Sequence, residues 1–196
     1  GDGEVTFLDE DRYRHTYKNV GKYTIKGHFT FGPGTRSYES GMYFSPDESL
    51  RNALTKVNYL AQDTTDLCQA FKYCRQLRSV NIPKLKVTSL QETFNGCTVL
   101  SELNYPGSSF NDLTAMHSAF SGCQLLESID LSNMNTKNVK DMHNMFYNCA
   151  SLKQADVSGF VTDQVENMAD MFRMCSSLET LDLSNWILTY AADLHY

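Results

Sequence analysis

The chain has 196 residues, a net charge of −6, a pI near 5.3 and 41% hydrophobic residues, enough for a buried core along most of its length. That acidic balance argues against binding a phosphate backbone, which calls for clustered Lys and Arg. With no apolar run of roughly 18 residues and no basic start before an apolar stretch, neither a membrane span nor a signal peptide is read from it. The sequence is read as intracellular, or as a processed or truncated form of an exported protein.

Residues 1–45 lack any repeat. Tyr23-Thr24-Ile25-Lys26 and Phe29-Thr30-Phe31 read as strands, separated by turns at Gly21, Gly27 and Gly32-Pro33-Gly34. Gly1-Asp2-Gly3, His15-Thr16-Tyr17 and Gly21-Lys22-Tyr23-Thr24-Ile25 are similar to the second half of a polycystic-kidney-disease-type (PKD) β-sandwich. The expectation is a small antiparallel β unit that covers one end of the remaining chain, because the end of a stacked array needs protection.

From about residue 46 onward one spacing takes over. Phe-x-x-Cys-x-x-Leu recurs at Phe71/Cys74/Leu77, Phe94/Cys97/Leu100, Phe120/Cys123/Leu126, Phe146/Cys149/Leu152 and Phe172/Cys175/Leu178, with the cysteines 23, then 26, 26 and 26 residues apart. A period in the twenties predicts units that each turn once and stack on the next. Beyond each Leu, Val80, Leu103, Ile129, Ala155 and Leu181 are followed two residues on by Ile82, Tyr105, Leu131, Val157 and Leu183, which predicts a short strand with one buried face. Before the Phe, spacings such as Val139, Met142, Phe146 and Cys149 predict a short helix. Each unit is therefore expected to be helix, turn and strand. Leu54, Val57 and Tyr59 repeat the strand pattern ahead of the first unit, and Trp186 with Leu194 opens a further turn.

The units resemble a known repeat group. The 23-residue units look like the BspA-like, Treponema-type bacterial leucine-rich repeat. The 26-residue units, with Ile129-Asp130-Leu131-Ser132-Asn133 and Leu181-Asp182-Leu183-Ser184-Asn185-Trp186, resemble the related bacterial surface-protein repeat of that group. The resemblance covers about residues 50–196 and implies a cell-surface or secreted adhesin or interaction module without catalytic residues. The fold expected overall is a right-handed leucine-rich-repeat solenoid, α/β in content, with a parallel sheet on one side, short helices on the other and the β unit as cap.

Five of the six cysteines share one register between a Phe and a Leu, so they are expected as free, inert, buried thiols rather than disulfides or zinc ligands. Met142, Met145, Met168 and Met171 are expected in the core. His117 and His143 fall at equivalent positions of adjacent units and are expected on an exposed helix surface, as neighbours without a metal; His15 and His28 lie on the β unit. No P-loop, nucleophile elbow, zincin motif or dinucleotide fingerprint is present. No enzyme activity and no cofactor is expected.

Binding is left, on the open face of the sheet. Between the inward residues of each strand sit Asn58, Asn81, Asn104, Asp130, Asp156 and Asp182, a polar row running from amide to acid, accompanied by Lys56, Ser79, Glu102, Ser128, Gln154 and Thr180. Stacked carboxylates can raise one another's pKa or recruit a cation such as Ca²⁺; hydrogen bonds from Ser128, Ser132, Ser158, Thr180 and Ser184 are the structural alternative. The expected partner is a host or bacterial surface protein with a neutral or basic patch, or a glycan. The rival readings are a structural spacer and an accessory module of a surface enzyme.

Overall fold

A computed structural model describes residues 51–52, 54–58, 64–81 and 84–187. The β unit expected over residues 1–45, with its His15 and His28, and the expectations on Tyr59, Ile82 and Leu194 lie outside the described residues.

Seven strands are present among the described residues, all short: β1 (Lys56–Asn58), β2 (Thr64–Asp66), β3 (Ser79–Asn81), β4 (Lys86–Ser89), β5 (Glu102–Asn104), β6 (Ser128–Asp130) and β7 (Gln154–Asp156). They pair in parallel as β1-β3-β5, β2-β4 and β6-β7. Residues one repeat apart meet: Val57 faces Val80, Val80 faces Leu103, and Ile129 faces Ala155. Isolated parallel bridges extend these strips, Gln154 to Thr180 beside β7, Ser89 to Ala115 beside β4, and Asp141 to Asn167 further along.

Two features correct the expected right-handed α/β leucine-rich-repeat solenoid. First, apart from helical backbone at residues 51–52, the described residues hold no helix. The segment around each Phe is a run of tight turns in which successive N–H groups point in alternate directions. Ala70, Lys72 and Cys74 donate to carbonyls three residues back, at Leu67, Gln69 and Phe71. Gln69, Phe71 and Tyr73 donate instead to Gln91, Thr93 and Asn95 of the next repeat, at 2.8, 2.9 and 2.7 Å. An α-helix would point every N–H along its own axis. The alternation needs a left-handed residue two places either side of the Phe: Gln69 and Tyr73 (φ 56 and 61°), then Glu92 and Gly96, Ser118 and Gly122, Asn144 and Asn148, Asp170 and Met174. Left-handed backbone costs an L-residue roughly 1–2 kcal/mol; the hydrogen bonds to the next repeat offset it, and Gly, Asn and Asp take several of the positions. Spacings of 3 and 4 fit such turns as well as they fit a helix.

Second, the strand side is not one continuous sheet. Pairing stops after β5 and resumes at β6, so no uninterrupted ladder closes the array.

The core follows the expected columns. Phe71, Phe94, Phe120, Phe146 and Phe172 stack face to face at 5.3–5.6 Å with ring planes within 13°. Met142, Met145, Met168 and Met171 are buried as expected, and so are Leu77, Leu100, Leu126 and Leu152. A further column is specific to the longer units: Phe110, Met134, Phe160 and Trp186 are all buried, and Phe160 stacks on Trp186 at 6.1 Å. Beside it, Thr136 and Thr162 are buried hydroxyls with complete partners. Thr136 Oγ1 donates to the Val161 carbonyl at 2.9 Å and accepts from the Val161 N–H at 2.8 Å; Thr162 does the same with Ile187 at 3.2 and 2.8 Å.

A buried amide that loses its partner costs about 1–3 kcal/mol. Thr136→Val keeps the shape but removes both partners of the Val161 backbone; because Val161 is itself exposed and water can replace part of the loss, the expected drop in unfolding free energy is about 1 kcal/mol. Urea denaturation read by circular dichroism checks this, and an unchanged midpoint would show that the hydroxyl is dispensable.

Candidate functional site

The strands carry alternation as expected. Val80, Ile129 and Ala155 are buried, while Glu102, Asn104, Ser128, Asp130, Gln154, Thr180 and Asp182 are exposed and Ser79, Asn81 and Asp156 are partly so. The backbone of Asn58 pairs with that of Asn81, but the side chain of Asn58 lies outside the described residues.

Two different strand exits lie on this face. β6 and β7 end in Asp-x-Ser turns: Asp130 Oδ1 accepts from the Ser132 N–H at 2.9 Å and its hydroxyl at 2.6 Å, and Asp156 accepts from Ser158 at 3.0 and 2.6 Å. Asp182 repeats the backbone bond with Ser184 at 2.9 Å. β5 leaves instead through Tyr105-Pro106-Gly107, with Gly107 left-handed at φ 69°. The interval from Leu103 to Ile129 is also the first 26-residue step between strands, its three extra residues placing Phe110 in the core. Pairing fails at that step. The strands on either side of it keep register with their own neighbours but not with each other.

The break opens a groove of about 1280 Å³. Asn81, Glu102 and Asn104 line one side, Ser128 and Asp130 the other, and Tyr105 lies between them. Lys56 and Ser79 line it as well, so seven of the residues expected on the binding face are brought together; Gln154, Asp156, Thr180 and Asp182 continue along the face beyond the groove. The strand pattern places Tyr105 only as an inward residue, and the groove gives it a second role. It is half-buried, packs edge-on against Phe110 at 5.2 Å, and burial, with Asp130 and Asp156 nearby, pushes its hydroxyl up to about 12. Asn81 Oδ1 is buried with no hydrogen-bond partner among the described residues.

Of the hydroxyl residues expected to hold the acidic row, Ser132, Ser158 and Ser184 do bond to it. The Ser132 hydroxyl and N–H hold the Asp130 carboxyl below its usual range, and the Ser184 N–H and hydroxyl do the same for Asp182. A depressed carboxyl is the reverse of what mutual repulsion would produce. Asp130, Asp156 and Asp182 each cap the turn that follows, through the N–H of the Ser two residues on.

The thiols are free, as expected. Cys97, Cys123, Cys149 and Cys175 each donate to the Phe carbonyl of the preceding repeat, at 3.0, 3.3, 3.1 and 3.1 Å. Burial pushes Cys74 up to about 12 and Cys68 and Cys175 to about 11, and raises Cys97, Cys123 and Cys149 well above the usual range. Such thiols are poor nucleophiles.

On the turn side, His117 and His143 stack at 4.8 Å with planes 11° apart, on turns rather than on the helix surface expected. Burial and the neighbouring His143 lower the pKa of His117. Asp141, which repeat spacing alone does not single out, joins them: its Oδ1 accepts from the His143 N–H at 3.0 Å and lies 2.7 Å from His143 Nδ1. Donor atoms of the three residues lie within 4.8 Å of one another. An Asp or Asn two residues ahead of the turn is the sequence signal for it, since Asp66 and Asn167 cap the same turn in other repeats.

Residues 114–196 match the family described as Mycoplasma protein of unknown function, DUF285. This agrees with the resemblance of the 26-residue units to BspA-like surface repeats and adds no ligand or activity. No curated protein and no solved structure matches the chain. The DUF285 segment begins just past Phe110, so β6 and β7 lie inside it and β1 to β5 precede it. The groove straddles that boundary.

Thiol accessibility is directly measurable. In the native protein at pH 8, Ellman's reagent is expected to leave Cys74, Cys97, Cys123 and Cys149 unmodified and to reach Cys68 and Cys175 slowly, with all six reacting after denaturation. Fast native modification of Cys123 would contradict the packing described.

Proposed function

We propose that this chain is a non-catalytic interaction module of a bacterial cell-surface or secreted protein, and that it binds an extended segment of a partner protein in the groove between β5 and β6. The observation that carries this reading is the interruption of strand pairing itself. Two strand edges flank the groove, each paired on one side only among the described residues, and an unpaired edge is a ready template for main-chain hydrogen bonds from an extended peptide. Tyr105 offers a partly desolvated aromatic anchor at the centre, the kind of residue that dominates binding energy. Glu102 and Asp130 favour a basic side chain on the incoming segment and steer its approach.

The surface location draws its support from the resemblance to BspA-like repeats and from the DUF285 match. A non-catalytic role is favoured by the thiols, which burial holds protonated in the core. Stacked repeats add a rigid platform that loses little entropy on association.

The test is selection from a peptide display library and, in parallel, a glycan array, both on the intact protein. Basic, extended peptides are expected to enrich. Tyr105→Ala should then weaken binding by about tenfold or more and the pair Glu102→Ala with Asp130→Ala by a similar factor, sensitive to salt, whereas Gln154→Ala leaves affinity unchanged. Glycans binding in place of peptides would overturn the choice of partner. Peptide binding insensitive to Tyr105 would overturn the groove as its site.

A further inference from the structure

We infer that His117, Asp141 and His143 form a binding site for a divalent transition-metal cation of the zinc class, on the turn side of the array and independent of the groove. The argument starts from the repeat. The position three residues before each Phe holds Cys68, Gln91, His117, His143 and Ala169, and only one interval sets two imidazoles in adjacent repeats. Backbone pairing holds that interval rigidly: the Ser118 N–H donates to the His143 carbonyl at 2.9 Å. The rings have no freedom to drift apart along the stack and rest at a centroid separation of 4.8 Å.

Asp141 supplies the rest. Its Oδ1 accepts from the His143 N–H at 3.0 Å and contacts Nδ1 at 2.7 Å, which fixes the ring tautomer and leaves Nε2 as the lone-pair nitrogen. Carboxylate-oriented histidine is the arrangement that raises imidazole basicity toward a metal. Two imidazole nitrogens suit zinc, with water completing the shell and Asp141 standing behind His143 as its orienting carboxylate, and do not suit Ca²⁺ or Mg²⁺, which need oxygen donors. A tetrahedral zinc ion holds its donors roughly 3.3 Å apart. One donor atom from each of the three residues already lies within 4.8 Å of the others; the stacked rings must tilt for both lone pairs to meet one ion, and with the side chains of Asp141 and His143 41% and 32% exposed there is room for that tilt. The next charged group, Glu92, is engaged by Lys72 and Gln69, so the three residues are not neutralised by it.

The experiment is equilibrium titration of the intact, reduced protein with Zn²⁺ in a Cys68→Ser background, which removes a half-buried thiol as a competing ligand, with Ca²⁺ and Mg²⁺ as parallel arms. Expected is saturable Zn²⁺ binding at one ion per chain, with a raised melting temperature and no response to Ca²⁺ or Mg²⁺. His117→Gln and His143→Gln should each abolish it, and Asp141→Asn should weaken it by about ten- to a hundredfold. Co²⁺ bound to the Cys68→Ser chain should give ligand-field bands without thiolate charge-transfer absorption, a signature that does not depend on the His or Asp variants folding. Absence of saturable Zn²⁺ binding, its persistence in the two His variants, or thiolate bands with Co²⁺ would each overturn the site.

Discussion

Every second N–H around the repeated Phe leaves its own turn and bonds to the next repeat. At Gln69, Phe71 and Tyr73 the donors reach Gln91, Thr93 and Asn95, and the same step recurs at Phe94 to Ala119, Phe120 to Met145 and Phe146 to Met171. This column sets the distance between repeats, and the Phe rings at 5.3–5.6 Å and the thiols donating to Phe carbonyls both inherit it. The geometry requires left-handed residues flanking each Phe and therefore excludes a helix. A helix satisfies its amides internally and meets its neighbour only through side chains. Here the turn side is tied by backbone, which leaves the strand side freer to part.

That freedom shows at the step from β5 to β6, and among the described residues the strip through β4 likewise lacks a bridge between Ala115 and Asp141. The turn column runs unbroken past Phe94 and Phe120, while the strands of the same two repeats, β5 and β6, do not pair. Three extra residues and a change from a Pro-Gly exit to an Asp-x-Ser exit meet at this interval. The Tyr105 ring, packed edge-on against Phe110, lines the opening. Polar groups lining it stay solvated, so the break carries no orphaned polar core apart from Asn81 Oδ1.

Much of this is readable from residue spacing, and the parts that are not share a cause. The Phe, Cys, Leu and Met columns are legible because burial leaves a strict period, and the alternation around Val80, Ile129 and Ala155 is legible because a strand has a period of two. The switch from 23 to 26 residues even marks where pairing fails, although periodicity alone does not say that an added Phe110 goes inward. The helix expectation fails because Val139, Met142, Phe146 and Cys149 satisfy both a helix and a chain of three-residue turns. Only the backbone sign distinguishes them, and Gln69, Glu92, Ser118 and Asp170 are not residues whose side chains demand a positive φ. Thr136 and Thr162 stay hidden for a similar reason: a buried hydroxyl with two backbone partners looks, in sequence, like any surface Thr.

In a repeat array, regular positions are already engaged, by the neighbouring repeat or by their own turn. The Asp row illustrates this: Asp130 and Asp156 look like a ligand set, yet each is occupied by its own Ser two residues on. Chemistry is available where a repeat departs from its neighbours. The unpaired interval between β5 and β6 frees two strand edges, and the single interval with two imidazoles frees nitrogen lone pairs that a Gln or an Ala elsewhere in the column does not have. Both departures rest on regular backbone pairing on the turn side, which limits the ordering either would need. In the readings proposed above, the regular part of the chain is scaffold and its irregularities carry the recognition chemistry.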